Sequence, residues 1–97
     1  MKRMANATAG TNDNETKHII GNHEIVSLVG TINKDGCHLH VSIADSAGNV
    51  IGGHLVGGMI VFTTLEIVIA ECSRLSWKRV HDQNTGYPEL EVIQRSI

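Results

Sequence analysis

A chain of 97 residues can bury one modest core, so the sequence predicts a single small domain. Its 41% apolar and 19% charged residues are ordinary for a globular chain, but Phe62, Trp77 and Tyr87 are its three aromatics, so aliphatic side chains must build the core. A net charge of −2 at pH 7, with Lys and Arg scattered singly or in pairs, leaves no basic stripe to neutralise several phosphates and argues against autonomous nucleic-acid binding.

Residues 1–22 combine Asn6, Asn12, Asn14 and Asn22 with Thr8, Thr11 and Thr16 and show no apolar period, so this stretch is expected to be a disordered lead-in. No apolar segment follows Met1-Lys2-Arg3, and Cys37 and Cys72 lie far apart without a CxxC pattern, so a cytoplasmic chain with reduced thiols is expected. From Glu24 the texture becomes short runs of Val, Ile, Leu and Thr separated by Gly, Asn and Asp, which predicts strands at 24–32, 37–45, 49–56, 59–71, 75–81 and 89–93. The breaks "NKDG" at 33–36, "DSAGN" at 45–49 and "DQNTG" at 82–86 supply turn residues, and an antiparallel meander is the simplest connection. "LEIVIAEC" at 65–72 mixes helix formers with β-branched residues; strand is preferred because Ile67, Val68 and Ile69 are consecutive. The run from Leu55 to Ala70 is broken by Gly57, Gly58, Thr63, Thr64 and Glu66, which is too interrupted for a transmembrane helix.

The stretch "CHLHVSIADSAGNVIGGHL" (37–55) holds three of the six histidines. On a strand, side chains alternate, so His38, His40, Ser42 and Ala44 share one face while Cys37, Leu39, Val41 and Ile43 share the core face. A three-residue loop, Ser46-Ala47-Gly48, with Gly48 in the left-handed position of a bulge, sets Asp45 opposite Asn49. That register puts Ile43 opposite Ile51 and Leu39 opposite Leu55, gathering the apolar residues on one side, and it places His40 opposite His54. Opposed Cβ atoms lie about 5 Å apart and diagonal ones about 7–8 Å, so His38 reaches the pair and three imidazoles converge. Gly52, opposite Ser42, is expected to leave open space beside them. His38, His40 and His54 are therefore the candidate metal ligands: three neutral imidazoles suit Zn2+ and leave a fourth position for water or a small ligand. A shift of one residue would send His54 to the other face. Cys37 is expected to be a small core hydrophobe, and His18, His23 and His81 surface residues. Glu24, Glu66 and Glu71, carboxylates within apolar runs, are expected to face solvent or a subunit interface. Ser27 and Ser42 lack a nucleophile elbow, and the glycines at 52–53 and 57–58 form no phosphate-binding loop. No catalytic residue is assigned.

"GNHEIVSL" (21–28), the histidine stretch 37–55, "TTLEIVIAE" (63–71) and "DQNTGYPEL" (82–90) together resemble the PPC domain, the plant-and-prokaryote-conserved domain of unknown function, in its stand-alone bacterial form. The resemblance implies an α+β fold, with a mainly antiparallel sheet and little helix in this chain, that assembles as a homotrimer. It assigns residues 23–93 to the domain and 94–97 to a tail, and it places the family's metal ligands, usually for zinc, on His38, His40 and His54. Two departures are expected to matter: the segments that usually precede the G-x-x-E-I motif are expected to be missing, and Gly57 stands where bacterial relatives often have an acidic residue. The family's DNA-binding label comes through plant relatives that join the domain to AT-hooks of the R-G-R-P type, which are not found in these 97 residues. Three functions follow as expectations: a DNA-associated regulatory protein with a zinc site, a trimeric metal-dependent enzyme of unknown reaction, and a non-catalytic structural trimer.

Overall fold

The computed structural model describes residues 2–3, 6–8 and 16–95. Nine strands occur among them: β1 (Lys2–Arg3), β2 (Asn6–Thr8), β3 (Thr16–Lys17), β4 (Glu24–Asn33), β5 (Gly36–Ala44), β6 (Val50–Gly57), β7 (Ile60–Val61), β8 (Leu75–His81) and β9 (Pro88–Gln94). No helix occurs among the described residues, so the helical part of the expected α+β class is absent there and the secondary structure is mainly antiparallel sheet. No segment among the described residues is a helix long and apolar enough to cross a membrane.

The chain divides into two compact units, one comprising Met1–Ile32 with Cys37–Glu66 and the other Asn33–Gly36 with Ile67–Ile97. The first contains a five-stranded sheet in the order β3-β2-β6-β5-β4. Only β4-β5-β6 follow the expected meander. The next neighbour of β6 is β2, which lies in the polar stretch expected to be a lead-in, with Ala7 opposite Leu55 and Thr8 opposite His54. The pairing has a simple cause: a sheet edge offers unpaired backbone N–H and C=O groups, and a polar segment can satisfy them as well as an apolar one. As a result the histidine-bearing strands β5 and β6 are interior strands.

The core of this unit rests on Val41 and Ile43, only 3% and 1% exposed, with Ile19, Ile25, Leu28, Leu55 and Met59 packed against them. Val41 and Ile43 occupy alternate positions of β5, as the period of two requires. Ile51 faces Ile43 in the ladder as expected, although it is itself exposed. Cys37 corrects an expectation: it is exposed, because it sits at the outer end of β5 beside the 33–36 turn, beyond the residues that form the core. Cys72 is exposed as well.

The expected strand 59–71 shrinks to Ile60–Val61, paired with Arg3 and Lys2. Thr63 adopts a left-handed φ of 80°, uncommon for a β-branched residue, which turns the chain out of the extended conformation. Beyond it Ile67, Val68 and Ile69 have the composition of a strand but stay exposed, Val68 at 98%. Strand propensity expresses how well side chains pack on a pleated surface, and these three have no such surface against them.

In the second unit β8 and β9 form an antiparallel hairpin from Leu75 opposite Gln94 to His81 opposite Pro88. Its turn is closed by the Asp82 N–H donating to the Tyr87 carbonyl (2.9 Å), the Gly86 N–H donating to the Asp82 carbonyl (2.8 Å) and the Asn84 N–H donating to the Asp82 carboxylate (2.8 Å). The Asn33 side-chain amide donates to the Trp77 carbonyl at 3.2 Å.

Candidate metal centre

The hairpin that carries the site is pinned by its turn. Asp45 accepts at one carboxylate oxygen from the N–H groups of Ala47 and Asn49, both at 2.9 Å, and at the other from the Asn49 side-chain amide at 3.1 Å. Its own N–H donates to the Asn49 carbonyl (3.0 Å), and its carbonyl accepts from the Gly48 N–H (3.0 Å). Gly48 has φ of 86°, the left-handed value that the three-residue loop requires. The hydrogen bonds from Asn49, then the one from Ala47 and the nearby His23, hold the Asp45 carboxyl below its ordinary value, partly offset by desolvation.

That turn produces the expected register: His40 opposite His54, Val41 opposite Gly53, Ser42 opposite Gly52, Ile43 opposite Ile51 and Ala44 opposite Val50. The histidines therefore project from the face opposite Val41 and Ile43. One nitrogen of each ring lies within 4.8 Å of those of the other two, an arrangement that can hold a metal ion. The ring centroids of His38 are 5.1 Å from those of His40 and 4.9 Å from those of His54, and His40 and His54 are 5.4 Å apart. The Nε2 atoms of His38 and His40 are 3.1 Å apart, one donating to the other.

One of these separations matches the spacing that an ion requires. Zn–N bonds of about 2.0–2.1 Å at tetrahedral angles separate two ligand nitrogens by roughly 3.3 Å, so the His38–His40 pair already spans one edge of the tetrahedron. His38 and His54 are half-buried and His40 is exposed, so the group opens to solvent on one side.

The neighbourhood differs from expectation at Gly52. A Cβ there would come 2.6 Å from the Val41 carbonyl oxygen and 3.2 Å from the Ser42 Cβ, so the missing side chain makes room for β5 and leaves no open space for a ligand. Two features went unread in the sequence. The Ser27 and Ser42 hydroxyls are hydrogen-bonded at 2.7 Å, joining β4 to the face that carries the histidines, and Thr8 stands opposite His54 in the ladder. Ser42 was visible as a same-face neighbour of His40; no local pattern announces Thr8, which is placed by a long-range pairing.

His18, His23 and His81 are not members of this group. His18 and His81 are exposed, while His23 is half-buried, with its ring Nδ1 3.2 Å from the Gly21 carbonyl oxygen. Glu24, Glu66 and Glu71 are exposed.

The fold and site define a small antiparallel β-protein with three histidines, on the face away from its core, that could hold a metal ion. The chain belongs to the Plants and Prokaryotes Conserved (PCC) domain family, the family of the resemblance above, whose model matches residues 3–73. The fold is similar to that of a hypothetical protein from Salmonella enterica, with a TM-score of 0.88 and 35% identity over 98% of this chain and 69% of that one. Two proteins named bifunctional protein GlmU, from Synechococcus strains JA-2-3B'a(2-13) and JA-3-3Ab, are 38% and 44% identical over 90 and 69 residues. These matches cover 92% and 71% of this chain but span 14% and 11% of those longer proteins.

Proposed function

We propose that this chain is a zinc-binding PCC-domain protein whose ion is held by His38, His40 and His54. The observation that carries the reading is the convergence of three ring nitrogens within 4.8 Å on one face of a register-locked hairpin. Imidazole is the commonest nitrogen donor for zinc, and three nitrogens without a thiolate or carboxylate suit Zn2+ better than Mg2+ or Ca2+, which prefer oxygen. When bound, the ion supplies a Lewis acid on the sheet surface. The histidines hold and orient it, and Asp45 keeps the hairpin in register.

Homotrimeric assembly is part of this proposal. The exposed run Ile67-Val68-Ile69 supports it, since contiguous exposed apolar side chains mark interaction surfaces. A cytoplasmic setting fits the two unpaired thiols. A net charge of −2 favours regulation through the ion or through protein partners over a direct grip on DNA. Filter binding to duplex DNA at two salt concentrations tests that point: retention at low salt that weakens as salt rises would restore the family's DNA-binding label.

Three protein ligands rather than four is the count of sites that keep a position for substrate, which favours a metal-dependent enzyme as the second reading. The similarity to a short stretch of longer proteins supports a module in either case. The decisive experiment is elemental analysis of the purified chain. One zinc per chain, absent from His40→Ala and His54→Ala, is the expected result; equal metal content in all three proteins would end the proposal.

A further inference from the structure

The histidine-bearing strand β5 is approached from both sides by backbone too close to tolerate a side chain. On the β4 side, a Cβ at Gly30 would overlap the His38 carbonyl oxygen and stand 2.8 Å from the Leu39 Cα. On the β6 side, a Cβ at Gly52 would stand 2.6 Å from the Val41 carbonyl oxygen and 3.2 Å from the Ser42 Cα. Gly36, Gly48, Gly57 and Gly86 differ in having nothing within 4 Å of the same point; their positive φ is shared by Gly30 (159°), whereas Gly52 is not among the positive-φ glycines, so at Gly52 the close approach alone excludes a side chain. The contacts of the two tight glycines fall on residues 38–39 and 41–42, which bracket His40.

We propose that Gly30 and Gly52 are positioning residues of the metal centre, setting where β5 lies and hence how far His38 and His40 stand from His54. The inference rests on the reading that these histidines hold zinc. Restoring ordinary van der Waals contact of 3.4 Å at the 2.6 Å approach beside Gly52 requires a shift of about 0.8 Å. Ligand distances in a metal site are held to about ±0.2 Å, so a movement of that size is several times what the triad tolerates. The overlap at Gly30 is more severe and falls on the backbone of a ligand residue itself.

The test compares the unsubstituted chain with Gly30→Ala, Gly52→Ala and Leu28→Ala. Leu28 lies on β4 and packs against the core, so its truncation lowers stability without crowding β5. Zinc affinity is measured by chelator competition, the visible spectrum is recorded at saturating Co2+, and folding is checked by circular dichroism. Groups that orient metal ligands typically contribute 10–100-fold to affinity, so each glycine variant is expected to bind zinc about tenfold more weakly or worse, with an altered cobalt spectrum. Leu28→Ala should melt earlier yet keep the parent spectrum. Parent-like affinity and spectrum in both glycine variants, with the parent itself binding zinc, would overturn the positioning role and leave the zinc site standing. No zinc uptake by the parent would remove both. Failure of both glycine variants to fold would also overturn it, assigning the two glycines to stability alone.

Discussion

Because His40 and His54 face each other across the ladder and both contact the ring of His38, removing either leaves the same kind of remnant, one pair of imidazoles. Zinc binds four-ligand structural sites with about 10–16 kcal/mol, or about 2.5–4 kcal/mol per protein ligand. At about 1.4 kcal/mol per tenfold, loss of one histidine predicts about 10²- to 10³-fold weaker zinc binding, similar in His40→Ala and His54→Ala. His81→Ala, an exposed position on β8, should bind as the parent does. A fourth variant tests the geometry separately: one Ala inserted after Ala47 lengthens the 46–48 loop and, with the period of two, sends His54 to the opposite face. That insertion should abolish zinc binding although all six histidines remain. The assay is competition against a chromophoric chelator near neutral pH. Retention of parental affinity by His54→Ala, or by the insertion variant in folded form, would refute the argument from register.

Ile43→Ala should cost about 2–5 kcal/mol in a denaturant titration, since Ile43 is 1% exposed in a core with few fully buried members, whereas Val50→Ala, at an exposed position, should change stability by less than about 0.5 kcal/mol. The Asp45 carboxyl is held below its ordinary 3.8, so its contribution is complete above about pH 4 and is lost as pH falls through the lower folded-state value. Thermal melts from pH 6 to pH 2 should therefore show a fall at the acid end that is smaller in Asp45→Ala, and an identical fall in both proteins would contradict the assignment. Val68→Asp, placing a charge in the exposed apolar run, should reduce a trimer of three times 10.5 kDa to a smaller species by light scattering, and an unchanged mass would exclude that run from the interface.

The centre of the hairpin was legible because its determinants are local. Alternation places His38, His40, Val41 and Ile43 on their faces, and "DSAGN" contains both the carboxylate that accepts three hydrogen bonds and the glycine that takes the left-handed turn. Together these set the parity that brings His54 to His40 before any distant contact forms.

What lay outside the sequence depends on edges and on the approach of backbones. Whether "LEIVIAE" becomes a strand is decided by the presence of a partner edge rather than by its β-branched residues, and the chain left Val68 exposed instead. The polar segment at Asn6–Thr8 shows no strand pattern, yet it pairs with β6, since the ladder is made of backbone groups common to every non-proline residue. Gly30 and Gly52 look like any weak points in a strand until the neighbouring strands are seen to fill the space where their side chains would be. The sequence by itself determined the register and the faces of the histidine hairpin, because turn chemistry and side-chain alternation act over a few residues. Only the tertiary structure decided which strands flank that hairpin and how closely they grip it, because those distances are set by the packing of chain segments remote in sequence.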